Sequence, residues 1–234
     1  MDYDSKQYKN FYTLFSKDRV DLSYEIKEGM FRIGDGDDKV ALKYNKIPLD
    51  IIELGVTWES TKEEIIRRLD NNGEIISKTE ILTEVNVAKI WIDNQYIYVF
   101  VNKLSLLKNI QEILFEVFGV NSRCLEFTND FYQKIINGNQ IDEIKSISYQ
   151  TNDKNFSSIT ISSKKSLVNS DLYNRMDISE NKITEITILL HGFSKIKIYK
   201  NGKVLLYNLP SIYETFEIVL FIKSLLPFGG SNFE

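Results

Sequence analysis

The sequence predicts an α+β protein: antiparallel sheet with helices packed against it, as the broad class, and two hairpin-plus-helix lobes as the finer expectation. Three observations predict it. Strand-like runs come in pairs joined by short polar turns. Two of these pairs, near residues 94 and 201, are each followed by a helix-length apolar segment at about the same spacing. Finally, helices do not separate the strands one by one, as a doubly wound parallel sheet requires. The 234 residues, 43% of them hydrophobic, suffice for a buried core. No low-complexity linker divides the chain, so the lobes 1–120 and 121–234 meet at a soft boundary.

In chain order, Tyr8, Phe11, Tyr12 and Phe15 fall at i, i+3, i+4 and i+7, with Lys6, Lys9 and Lys17 off the stripe, which predicts an amphipathic helix over 5–17. Short strands follow at 22–26, 30–33 and 40–44, with the turn Gly34-Asp35-Gly36-Asp37-Asp38 between the last two. The capping-box sequence Ser60-Thr61-Lys62-Glu63 predicts a helix through Leu69, stopped by Asn71-Asn72-Gly73. Runs at 74–82, 87–92 and 96–101 read as strands, the last two joined at Asp93-Asn94-Gln95. A helix is expected from Leu104 to Phe118, ended by Gly119, with Ser105, Lys108, Asn109, Glu112 and Glu116 on its polar face. Thr128 caps a short helix before Gly138, after a strand at 123–127.

The C-terminal part repeats this grammar, with strands at 141–149, 158–162, 182–190, 195–200 and 203–207. Asn201-Gly202 between the last two is a strong hairpin signal. Pro210 and a second capping box, Ser211-Ile212-Tyr213-Glu214, open a helix that ends at Leu226 before Pro227.

One histidine, His191, and one cysteine, Cys124, cannot close a zinc site or an internal disulfide. The first residues lack the basic start and apolar run of a secretory signal, and no stretch reaches the roughly 20 apolar residues that span a bilayer. A cytoplasmic protein without membrane contact is therefore expected. Net charge is -4, and the basic residues are spread along the chain, which disfavours nucleic acid as the partner without forbidding it. The 23 Lys against 6 Arg, with 31 Ile and 2 Ala, suggest an AT-rich bacterial or phage origin.

The segment 186–193, Ile-Thr-Ile-Leu-Leu-His-Gly-Phe, resembles the strand and His-Gly turn beside the oxyanion hole of α/β-hydrolases. That family needs a Gly-x-Ser-x-Gly elbow downstream and a second histidine, and the chain has neither. His191 then reads as an ordinary strand-end residue, and Cys124 as a small core residue. Nucleases of the restriction-enzyme type need no histidine, only an Asp and a Glu-x-Lys pair. Glu25-Ile26-Lys27, Glu143-Ile144-Lys145 and Glu180-Asn181-Lys182 match, and the best set is Asp130, Glu143 and Lys145, with Mg²⁺ as cofactor. The acidic turn 34–38 lacks the spacing of a calcium loop, and no phosphate-binding glycine loop is present.

In the final helix apolar residues cover nearly the whole circumference, more than one packed stripe requires. Leu54-Gly55-Val56-Thr57 with 60–66 is faintly similar to a loop-plus-helix of small bacterial binding proteins, some toxin-immunity proteins among them. No functional residue carries over from it. The expected function is a non-catalytic protein-binding module without cofactor, such as an immunity, antitoxin or antiviral-defence accessory protein. Its partner would be another protein or further copies of itself, met through Tyr8, Phe11, Tyr12, Phe15, Phe216 and Phe221. The alternative is the Mg²⁺-dependent nuclease or another nucleic-acid-binding defence component.

Overall fold

Asn10–Ser16 is buried at every position, so a central strand, not an amphipathic helix, is what this run forms. The aromatic spacing fits a helix, but Phe11 and Phe15 alternate with Tyr12 and Leu14 in an extended run, which suits a strand buried on both faces equally well. The computed structural model describes residues 8–18, 20, 29–32, 39–48, 51–151, 157–167, 182–190 and 195–227. The expected strand at 22–26, the acidic turn at 34–38, the tripeptide at 25–27 and His191 lie outside them.

In chain order the elements are β1 Asn10–Ser16, β2 Gly29–Arg32, β3 Lys39–Lys46, β4 Ile52–Leu69, β5 Ile75–Asp93, β6 Tyr96–Phe100, α1 Ser105–Phe118 and β7 Ser122–Cys124. There follow α2 Asn129–Ile136, β8 Ile141–Gln150, β9 Ser158–Ser162, β10 Lys182–Leu190, β11 Lys195–Tyr199, β12 Lys203–Leu206 and α3 Ile212–Leu225. The result is a mixed α+β protein dominated by one antiparallel sheet, in the order β2-β3-β4-β5-β6-β1-β12-β11-β10-β8-β9. β1 holds its two halves together. One edge of β1 pairs with β6 from Phe11↔Phe100 to Phe15↔Tyr96, and the other pairs first with β12 and then, from Leu14 to Ser16, with β7.

Alternation along β1 sorts the core into two layers. Tyr12 and Leu14 join Ile90, Ile92, Ile97 and Val99 under α1, which buries Leu107, Ile110, Ile113 and Leu114. Phe11 and Phe15 join Trp91, Tyr98 and Phe100 on the opposite face, under α2 and α3. Each hairpin-then-helix unit has the same internal spacing. Asn94 stands to Ser105 as Asn201 does to Ile212, and both helices have 14 residues. The expected polar residues of α1 face outward or are half-buried, and Gly119 ends the helix at φ 66°.

α3 is fixed at both ends. At its start the Ser211 hydroxyl accepts from the Glu214 N–H, while the Glu214 carboxylate accepts from the Ser211 N–H at 2.7 Å, as the capping box predicts. At its end the Tyr96 hydroxyl donates to the Pro227 carbonyl at 2.5 Å, and Lys223 pairs with the buried Asp93. Ser211→Ala is expected to cost about 1 kcal/mol in denaturant unfolding. The backbone donor at Ser211 holds the Glu214 carboxyl below its ordinary pKa. Its share of stability is therefore present above the unfolded carboxylate pKa and lost as pH falls through the lower folded value.

The second expected helix is also a strand. Residues 60–69 belong to β4, which pairs with β5 without a register shift from Ile52↔Ile92 to Leu69↔Ile75. The runs expected at 74–82 and 87–92 are one strand, β5. Ser60 caps nothing: its hydroxyl accepts from Asn86 Nδ2 at 2.7 Å across the hairpin. The likeness to an immunity-type loop-plus-helix falls with that helix. Asn71-Asn72-Gly73, expected as a helix stop, is the hairpin turn. There Asp70 Oδ1 accepts from the N–H groups of Asn72 and Glu74, and Gly73 takes φ 82°.

Candidate binding surfaces

β3 accompanies β4 only as far as Val40↔Trp58, and β6 joins β5 only from Lys89 onward. Beyond those points residues 59–85 form a two-stranded arm, and among the described residues no further strand pairs with either of its edges. At about 3.3 Å per residue, the stretch from Glu59 to Leu69 is on the order of 33 Å long. Opposed residues share parity, so the arm has two faces. The even-numbered face is charged, with Lys62 on Glu84 at 3.0 Å, Lys78 on Glu80 at 3.6 Å and Arg68 on Glu80 at 4.0 Å. The odd-numbered face carries Ile65, Leu69, Ile75, Ile81 and Val85, each more than half exposed, set among Thr61, Thr79 and Thr83. An isolated two-stranded ribbon with a bare apolar face is marginal in water. Sequence reasoning missed this surface because the capping box pointed to a helix and the apolar residues keep no clean period of two, with Ile66, Ile76 and Leu82 at even positions beside Ile65, Leu69, Ile75, Ile81 and Val85.

The aromatic residues expected to meet a partner do something else. Tyr8, Phe11, Tyr12, Phe15 and Phe221 are 0–9% exposed, so their surface is already spent on the core. The Phe11 ring lies tilted at 5.2 Å from Phe100, and that of Phe15 tilted at 5.8 Å from Tyr96. Phe216 is half-buried, its ring 6.0 Å from Trp91. The broad apolar circumference of α3 is largely accounted for by the sheet: Ile218, Val219, Phe221 and Ile222 are buried, while Ile212 and Tyr213 stay exposed.

Of the expected nuclease set, Glu143 and Lys145 form an ion pair on β8, and Lys145 also donates to the Lys164 carbonyl. Asp130 lies in the first turn of α2, beside a cavity of about 240 Å³ lined by Phe127, Phe131, Lys134, Leu225 and Pro227 and by neither Glu143 nor Lys145. Among the described residues no group of three or more His, Cys, Asp or Glu side chains is placed to share a metal ion. Cys124 is exposed rather than a core residue, because β7 lies at the end of the β1 pairing; partial burial still raises its thiol pKa.

A second cavity of about 240 Å³ opens between the sheet and the start of α3, lined by Tyr8, Lys89, Trp91, Phe100, Leu209 and Ile212. Behind it the buried Glu53 carboxylate accepts from Trp91 Nε1 at 2.7 Å and pairs with Lys89 at 3.6 Å. On the α1 side of the C-terminal half, Lys197 and Lys203 lie over the Tyr199 ring and Lys195 over Tyr207. The core under α1 includes no residue of β8 to β12. On that face Glu185 binds Lys197 at 2.8 Å; burial lowers the ammonium pKa, but the carboxylate outweighs it and leaves it raised. Among the described residues no helix is long and apolar enough to cross a membrane. The chain matches no protein-family profile and no curated protein.

Proposed function

We propose that the protein is a non-catalytic protein-binding module and that the β4–β5 arm is its binding element. One observation carries the reading: five large apolar side chains exposed on one face of a ribbon whose two backbone edges pair with no other strand among the described residues. Exposed apolar strands with free edges are costly to keep in a monomer, because they invite pairing with any extended chain. Strand addition supplies main-chain hydrogen bonds, and the alternating side chains supply selectivity. The acidic balance of the chain suits an immunity, antitoxin or defence-accessory setting.

Shortening the arm tests this. Joining Ser60 to Glu84 through Asn-Gly removes Ile65, Leu69, Ile75 and Ile81 from the apolar face while keeping the register of the supported part of the hairpin. The full chain is expected to associate, with itself or with a co-purifying protein, in size-exclusion chromatography with light scattering. The shortened chain is expected to run as a folded monomer that still unfolds in one cooperative transition. A full chain that is monomeric and holds no partner, or a shortened chain that keeps every association, would falsify the reading.

A further inference from the structure

We propose that the arm's partner is a second copy of this chain, joined edge to edge and antiparallel through residues 63–69 of β4, with Ile66 facing Ile66 across the two-fold axis. The inference rests on the arm being the binding element and names what it binds.

The backbone comes first. The Asp70 N–H donates to the Glu74 carbonyl across the hairpin, so even-numbered residues of β4 turn their backbone groups toward β5. Odd-numbered residues therefore direct theirs outward. Two copies related by a two-fold axis normal to the sheet oppose residues of equal parity. Glu63, Ile65, Arg67 and Leu69 then make the new hydrogen bonds, while Glu64, Ile66 and Arg68 occupy the closer non-hydrogen-bonded positions.

Charge fixes the register. The order Lys62, Glu64, Ile66, Arg68, Asp70 on the even face is self-complementary when reversed: Lys62 meets Asp70, Glu64 meets Arg68 and Ile66 meets itself. On the odd face Glu63 meets Leu69 and Ile65 meets Arg67, so no like charges are opposed. A slip of two residues one way sets Lys62 against Arg68, and the other way sets Glu64 against Asp70 and Arg67 against itself. The β5 edge is the poorer choice, because bringing its Lys78 opposite Glu80 also sets Glu74 against Glu84.

Two features of the single chain point the same way. Glu64 stands directly opposite Glu80 within the hairpin, a like-charge pair that costs stability. In the dimer, Arg68 of the second copy comes to the other side of Glu64. The partner's turn residue Asn72 also lies opposite Ser60, past Trp58, where the pairing of β3 with β4 ends among the described residues. Joining the edges turns two marginal ribbons into a four-stranded sheet with the exposed Ile65, Leu69, Ile75, Ile81 and Val85 of both copies on one face.

The test is a charge swap on the full chain, read by sedimentation equilibrium. The parent is expected to be a dimer. Arg68→Glu and Glu64→Arg should each weaken it by about tenfold or more, and the double variant should restore it to within about threefold of the parent. In a Cys124→Ser background, Ile66→Cys should cross-link two copies on mild oxidation and Ile65→Cys should not. A dimer indifferent to the swap, or one cross-linked through position 65, overturns the proposal. A monomer that holds a different protein through the arm overturns it and leaves the arm as a binding element; a monomer that holds nothing overturns both.

Discussion

Glu53→Ala is expected to be the most damaging single polar change in the N-terminal half, at about 3 kcal/mol. The carboxylate is 3% exposed and holds two groups at once, the Trp91 indole N–H at 2.7 Å and the Lys89 ammonium at 3.6 Å. Removing it leaves the indole donor without its acceptor and takes the Glu53 carboxylate away from the mostly buried Lys89 ammonium, which costs more than the intact pair contributes. For a chain of this length the loss corresponds to a fall in Tm of roughly 10 °C. Glu53→Gln keeps an acceptor for Trp91 and should lose less. Glu53→Leu combined with Lys89→Met removes both charges and should be milder than Glu53→Ala alone. Thermal unfolding followed by tryptophan fluorescence reads all three, because the Trp91 ring packs 4.8 Å from Phe100 at this spot. A double variant as unstable as the single one would show that the site depends on packing and not on the charge pair.

Elements with local chemistry of their own were legible in the sequence. Thr128 caps α2, Gly119 ends α1, and Ser211 and Glu214 form the box that opens α3, because each feature is decided within a few residues. The two misread segments are those where distant pairing overrides the local signal. β1 lies between strands that come about 90 and 190 positions later in the chain, and nothing near residue 12 records those partners. Ser60-Thr61-Lys62-Glu63 satisfies a helix start, yet β5 offers it a full-length partner, and the continuous register outweighs a cap worth about 1 kcal/mol. The candidate site followed the same rule. The aromatic residues picked from the sequence were apolar enough to bind a partner and for that reason were consumed by the core. The arm's apolar residues, scattered over odd and even positions of a charged segment, escaped notice.

Gly202→Ala is the second large expected effect, about 4 kcal/mol, and Gly73→Ala is its control. Both glycines have left-handed backbone, φ 78° and φ 82°, so alanine meets a similar conformational cost of about 1 kcal/mol at each. Their surroundings differ. A Cβ on Gly73 has nothing within 4 Å, whereas one on Gly202 falls 2.4 Å from the Leu125 carbonyl oxygen and 3.0 Å from that of Thr13. These are backbone atoms at the junction where β1 passes from β12 to β7. There the Thr13 N–H donates to Gly202 and the Leu125 N–H donates to Thr13, both at 2.9 Å. Making room for a methyl group stretches the bonds that tie the β12 and β7 side of the sheet to β1, which adds overpacking to the backbone cost. Urea unfolding should separate the variants by about 3 kcal/mol, and amide exchange at Thr13 and Leu125 should quicken only in Gly202→Ala. Equal losses at the two positions would mean that the junction yields freely, and that β1 is held by its pairing with β6 rather than by the close approach of this turn.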